Sequence, residues 1–439
     1  MGTGRDEAIE FLRANHMDPG QVELEPLCDT FAKEMERGLG GAGGSLLMIP
    51  TYLEADHEVP RGKRVIAIDA GGTNFRVGLV SFDPKGNAEI GHFRNFPMPG
   101  LRQEVDARTF FATIAGYLSE CADLRDDIGL CFSYATEIQP NRDGRLVRFC
   151  KEVKAREVEG QLIGENVAMA LRDAGHRGNK RIVLLNDTVA TLLAGKAAAA
   201  DRNFGSYIGF ILGTGTNCAY VEANARITKT PGLDLSRKQI VNVESGGFGL
   251  APRGTIDLEF DAATVDPGMC TFEKMISGGY LGGLYRAVLA KAAREGLFPS
   301  AAAALIRDVP PLDTRDLGRF LSDPADRTGR IALALPTAEA LDLAFSLAEL
   351  LVERAAKLTA VNLASIAIQS GAGRDPGRPI RVTADGTTFY ELKGLRGKTL
   401  GFLEPFLLER HGVRCAFARV DNAPLIGAAI AALTTAWPS

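Results

Sequence analysis

The chain has 439 residues, with 50 Lys and Arg against 54 Asp and Glu and a formal charge of −4, so it carries no basic field for a nucleic-acid backbone. Hydrophobic residues at 46% and charged residues at 24% exclude wholesale disorder, and the length leaves room for two or three domains of roughly 150 residues. Seven scattered cysteines without a CxxC pair, five histidines without HxxxH, an acidic N-terminus and no apolar run of about 18 residues point away from a disulfide framework, a zinc site, a histidine triad, a secretory leader and a membrane span. The expected setting is a reduced, soluble cytoplasm.

Residues 5–39 have helical spacing (Ile9, Leu12, then Leu27, Phe31, Met35) broken at Pro19-Gly20. The run Gly40-Gly41-Ala42-Gly43-Gly44 reads as a connector. A β-branched run over 64–69 meets Ala70-Gly71-Gly72-Thr73 and resumes at 77–82, which predicts a hairpin with a polar tip. Helices are expected over 107–124 and 160–174, with a buried strand over 128–133 between them. A strand over 181–185 leads into a helix from about 188 to 199, and strands follow at 206–212 and 218–222. Long helices are expected at 271–295 and 337–363, then a strand at 379–383, a helix at 399–411, a strand at 414–417 and an apolar helix at 423–436. Alternating strands and helices argue for α/β layers, and two glycine turns after strands suggest two related units facing one cleft.

Three constellations carry chemistry. In Asp69-Ala70-Gly71-Gly72-Thr73-Asn74-Phe75-Arg76, the glycines let backbone N–H groups approach phosphate oxygens, Thr73 and Asn74 add donors, and Arg76 neutralises charge. Asp69, at a strand end, suits Mg²⁺ held directly or through water. Gly213-Thr214-Gly215-Thr216-Asn217 is a second hydroxyl-rich glycine loop after a strand, so a polyphosphate could be gripped from two sides. In Asn186-Asp187-Thr188, Asp187 lies between strand and helix, where it suits both an N-cap and a carboxylate that takes a hydroxyl proton during phosphoryl transfer.

Together these segments resemble the hexokinase family, in register from about Ser45 to Gly386. Met48-Ile49-Pro50-Thr51-Tyr52 resembles the family's connector and IAIDAGGTNFRVGLV (66–80) its first phosphate loop. CFSY (131–134) and CKEVKAREVEG (150–160) resemble its sugar segments, LNDTVATLLAG (185–195) its catalytic-aspartate segment and GTGTNCAYVE (213–222) its second phosphate loop. NVESGGFG (242–249) and DPGMCTFEKMISGGYLGGLYR (266–286) resemble its two glutamate segments. The resemblance implies a single-unit, half-size, bacterial-type hexokinase or glucokinase with a two-domain actin-like ATPase (ribonuclease H-like) fold and an inter-domain cleft. Each domain would hold a mixed five-stranded sheet. The small domain would span 62–187 plus 421–439, and the large one 1–61 plus 188–420.

The implied reaction moves the γ-phosphoryl of MgATP to the 6-hydroxyl of glucose or a related hexose. Ser133, Lys151, Asn186, Asp187, Asn217, Glu244 and Glu273 would bond the sugar, with Asp187 as the base and Lys151 and Arg76 offsetting charge on the moving group. Cys150 stands where the family usually has a hydroxyl. Asp69, Gly71, Gly72, Thr73, Asn74, Arg76, Gly213 and Thr214 would surround the ATP phosphates and Mg²⁺, and Gly386 and Thr387 would belong to the adenosine segment. A monomer or homodimer is expected, with no nucleic-acid or membrane partner. The residues also admit a non-catalytic sugar sensor or a chaperone-type ATPase on the same fold. Ser245 replaces a bulky aromatic, and the segment 420–427 lacks the family's glycine-serine-glycine run.

Overall fold

The β-branched run after residue 64 forms the strand Val65–Gly71, which turns through Gly72-Thr73 onto Asn74–Phe82 with Gly71 opposite Asn74. The protein is described by a computed structural model over residues 3–149, 153–199 and 203–437. In the sheet built on this hairpin the strands lie in the order Ala88–Pro97, Asn74–Phe82, Val65–Gly71, Asp127–Phe132, Arg181–Leu185. The first three pair antiparallel and the last two join parallel.

The second sheet repeats the pattern. Its order is Ile49–Pro50, Lys238–Asn242, Thr216–Ala223, Ser206–Leu212, Ile380–Asp385, Cys415–Ala418. Leaving aside Ile49–Pro50, both sheets run third, second, first, fourth, fifth in chain order, so two related units are present. The expected five strands hold in the first sheet, but the second has six. The sixth is a two-residue edge pairing that includes Pro50, too short for a period-two pattern and with no backbone N–H at Pro50 to extend it.

Two helices stand between the sheets. Asp187–Ala197 lies on Ser206–Leu212, and Ala423–Thr434 lies on Val65–Gly71 and Asp127–Phe132. They meet through Val189, Ala190, Leu193, Leu425, Ala428 and Ala429 in one buried cluster, which explains why both read as apolar on nearly every face. Ala107–Leu118 and Ile163–Asp173 cover the outer face of the first sheet. The 32-residue helix Ala338–Gln369 is buried over most of its length beneath the second. Among the described residues, no helix is long and apolar enough to cross a membrane.

The continuous helix expected over 271–295 is two helices, Thr271–Ile276 and Leu281–Arg294. At the break, the backbone N–H groups of Gly278 and Gly279 donate to the carbonyls of Gly213 and Thr214 at 2.8 Å each. The helix gives up its own ladder there to brace the second glycine loop.

Candidate active site

Asp187 sits where strand Arg181–Leu185 ends and helix Asp187–Ala197 begins. The N-cap reading belongs to its neighbour: Asn186 Oδ1 accepts from the Thr188 N–H at 2.9 Å and its hydroxyl at 2.6 Å. The Thr188 N–H also touches the Asp187 carboxyl, but the cap itself is held by Asn186. Burial pushes its carboxyl up to about 7; a Ser133 hydrogen bond opposes the shift, and the charges of Asp69 and Glu244 add to it. The strand ends thus bring Asp187, Ser133, Asp69 and Glu244 to one place.

Ser133 follows strand Asp127–Phe132 and donates its backbone N–H to Ala70 O at 3.0 Å. A Cβ on Gly71 would stand 2.7 Å from Ser133 Oγ, so only glycine lets the first glycine loop pass this close. Asp69 is 8% exposed, and Arg76 Nη1 donates to its Oδ2 at 3.1 Å. Burial raises the Asp69 carboxyl, Arg76 pulls it back, and Asp385, at the end of a strand in the opposite sheet, raises it further. Gly72 and Thr73 form the exposed tip, with Nδ2 of the half-buried Asn74 on Thr73 Oγ1 at 3.2 Å.

The facing wall is an amide and carboxylate net. Asn217 Nδ2 donates to Glu244 Oε1 at 3.0 Å and Asn242 Oδ1 at 2.8 Å, and reaches Asn186 Oδ1 at 3.4 Å. Asn242 Nδ2 also donates to Glu244 Oε1, at 2.8 Å. Glu244 lies in the left-handed region at φ 58°, a conformation that costs free energy in a non-glycine residue and is held by this net. Burial raises its carboxyl despite the amide donors. Glu273 Oε2 accepts the Thr216 N–H at 2.9 Å, and burial, with Glu244 adding, pushes its carboxyl up to about 7. A Cβ on Gly215 would come within 2.5 Å of Glu273 Oε2, which gives that glycine a steric reason separate from phosphate binding.

Gly386 and Thr388 lie against the second loop, while Thr387 between them is exposed. Gly386 Cα is 3.6 Å from where a Cβ on Gly213 would stand, and Thr388 Oγ1 donates to Gly213 O at 2.8 Å. Thr214 is tied by its carbonyl to Gly279. Of the residues singled out from sequence, Cys150 and Lys151 lie outside the described residues. Of the others, Asp69, Arg76, Ser133, Asn186, Asp187, Asn217, Glu244 and Glu273 are joined to one another by hydrogen bonds or by charge. Sequence reasoning passed over Asn242, Thr216 and Tyr134, although each lies inside a segment it had marked. A residue-by-residue match to sugar contacts does not flag a residue that orients another.

Two family models, both described as hexokinase, match this chain over residues 10–197 and 207–434. The chain belongs to the hexokinase family. Hexokinase-1 of Schizosaccharomyces pombe is 30% identical over 319 residues, 69% of this chain and 64% of that one. The hexokinase of Schistosoma mansoni is 28% identical over 384 residues, covering 82% and 83% of the two chains. Human hexokinase-2 is 28% identical over 80% of this chain, but the match spans only 40% of the human protein. These named relatives are eukaryotic hexokinases, so it is that type, rather than the expected bacterial one, that the chain resembles. The solved structure of Schistosoma mansoni hexokinase complexed with glucose superposes with a TM-score of 0.80 at 23% identity, over 99% of this chain and all of that one. The two-domain actin-like hexokinase fold is therefore that of this chain.

Proposed function

We propose that this chain is a hexose kinase that transfers the γ-phosphoryl of MgATP to the 6-hydroxyl of glucose or a related hexose. One observation carries the reading: a desolvated carboxyl, Asp187, with its affinity for protons raised to the neutral range, stands between two glycine loops and a wall of sugar-sized donors and acceptors. A hexose presents hydroxyls that both donate and accept, and Asn186, Asn217, Glu244 and Glu273 match that need. Ser133 extends the contact from the other wall. The relatives' names and the glucose in the Schistosoma structure support the same substrate class. We place the domain division at 62–187 with 421–439 against the remainder, which puts the helix Ala423–Thr434 with the sheet it covers.

In this mechanism Asp187 accepts the proton of the 6-hydroxyl as that oxygen attacks in line. Arg76 and Lys151 offset charge on the moving group. Gly71, Gly72, Thr73, Asn74, Gly213 and Thr214 hold the phosphates through backbone N–H groups and side-chain donors, and Gly386 and Thr387 lie on the adenosine side. The residues fit a metal delivered on the nucleotide: among the described residues no group of three or more His, Cys, Asp and Glu could cage an ion, and Asp69 offers one desolvated carboxylate. Bound there, Mg²⁺ supplies charge neutralisation on the phosphates. We take the enzyme to be cytoplasmic, a monomer or homodimer, with its six described cysteines as free thiols.

A coupled assay for ADP release with and without glucose tests the reading. Sugar-dependent ADP formation is expected; the sensor alternative binds glucose without it, and a chaperone-type ATPase forms ADP regardless of sugar. A panel of glucose, mannose, fructose and glucosamine then ranks the acceptors.

The raised carboxyl of Asp187 sets the pH dependence. Because its proton affinity lies near pH 7, the base is protonated and blocked at acid pH and free above neutrality. Glu273 is raised to about 7 as well, so kcat/KM is expected to rise at least about tenfold per pH unit below 7 and to level off above it. A flat profile between pH 5.5 and 8 would contradict the assignment. A sugar that bridges both walls binds the closed cleft better than the open one. Small-angle scattering should show a smaller radius of gyration with saturating glucose, and an unchanged radius would remove the two-walled site.

A further inference from the structure

We propose that Tyr134 is a positioning residue that couples the sugar wall to the first phosphate loop. Its hydroxyl donates to the carbonyl of Gly72 at 2.9 Å, at the tip of the glycine hairpin. Gly72 has φ 55° and, with Thr73, forms the two-residue turn between the hairpin strands. Beyond the strand pairing, Met98 N–H holds Thr73 O at 3.0 Å, so the tip is pinned at two successive carbonyls from opposite sides.

Tyr134 is 4% exposed, and its ring packs in the apolar cluster that covers the outer face of the first sheet. Phe149, the residue before Cys150 and Lys151, meets it edge-on at 5.0 Å between centroids, and Phe132 lies at 4.9 Å. Its backbone neighbour Ser133 bonds Asp187 and is anchored to Ala70 O. One rigid dipeptide therefore contacts the base, the aromatic support of the sugar segment and the hairpin that would hold the nucleotide. A shift of Ser133 or Phe149 when a sugar hydroxyl is bound moves the Tyr134 ring. The hydroxyl transmits that shift to Gly72, and so to the neighbouring N–H groups that face the phosphates. The coupling rests on the kinase reading above but adds a residue and a direction of influence that the reading does not need.

Tyr134→Phe removes the hydroxyl and keeps the ring, so packing is preserved. The experiment measures the affinity of a non-hydrolysable ATP analogue with magnesium by calorimetry, with and without xylose, a pentose that lacks the 6-hydroxymethyl group. The wild-type protein is expected to bind the nucleotide several-fold more tightly with the pentose. In Tyr134→Phe that ratio should fall to within twofold of one, with KM for MgATP raised three- to tenfold and the glucose dissociation constant within twofold of wild type. Phe149→Leu, which leaves the hydroxyl in place, should lower the ratio without a comparable loss of nucleotide affinity in the absence of sugar. A ratio in Tyr134→Phe equal to that of wild type overturns the proposal, as does a wild-type ratio of one. Equal losses in glucose and nucleotide affinity show a purely structural role and overturn it as well. Absence of sugar-dependent ADP formation in the wild type is a separate failure, of the kinase reading itself.

Discussion

Asp187→Ala is expected to lower kcat by about 10²–10⁴-fold, the usual cost of removing a general base, while glucose still binds within about tenfold of wild type. The separation follows from the geometry. Asn217, Asn242 and Glu244 bond one another, and Glu273 is fixed by the Thr216 N–H, so the sugar wall does not depend on Asp187. The helix start does not depend on it either, because Asn186 provides the cap. Removing a carboxyl whose charged form is disfavoured by burial and by Asp69 and Glu244 should leave the melting temperature unchanged or raised. Asp187→Asn sharpens the test, since the amide can still accept a hydrogen bond from Ser133 but cannot take a proton. Turnover comes from the ADP assay and sugar affinity from calorimetry. Either variant keeping half of wild-type turnover would show that another group takes the proton.

The first hairpin was legible in the sequence because both strands are β-branched runs and the turn between them is glycine-rich; the observed turn falls on Gly72-Thr73. The strand before Asp187 was legible for the same reason, being a short apolar run closed by polar residues. Lys238–Asn242 and Ala88–Pro97 were not. The first has only Ile240 and Val241 as apolar residues, and the second is a largely exposed edge whose residues show no clear alternation. Their pairing is set by the strands beside them, which a local pattern does not contain. The break at Ser277-Gly278-Gly279 was hidden because apolar spacing continues across it; its cause is the glycine loop some sixty residues earlier, which takes its N–H groups. In the site, the residue types and their order could be read from motifs. Their support could not: Gly215 making room for Glu273, Asn242 sharing Glu244 Oε1 with Asn217, and Tyr134 reaching Gly72 are relations between segments.

Arg354→Leu is expected to be the most destabilising single change away from the cleft. Arg354 is 1% exposed, in the middle of the helix Ala338–Gln369, and grips Asp257 with two nitrogens at 3.0 and 2.5 Å. Its Nη2 also donates to Pro252 O at 3.0 Å. Asp257 is 4% exposed and accepts the Gly254 N–H at 2.7 Å, so the same carboxylate ties down the start of helix Thr255–Ala262. Leucine would fill much of the space but leave a buried carboxylate without its partner, a change that costs about 3–5 kcal/mol. The loss should reach the sugar wall. Asp261, on that short helix, accepts from Lys274 Nζ at 2.6 Å, and Lys274 follows Glu273 in the chain. Loosening Thr255–Ala262 therefore frees the segment that aims Glu273, and KM for glucose should rise several-fold. Scanning calorimetry reads the stability loss. The double variant Arg354→Leu with Asp257→Leu removes the stranded charge and should recover much of it, because a buried ion pair contributes little net stability over apolar side chains that fill the same space. A single variant as stable as wild type, or a double variant no better than the single, would show that the pair is not what fixes this helix against the long one.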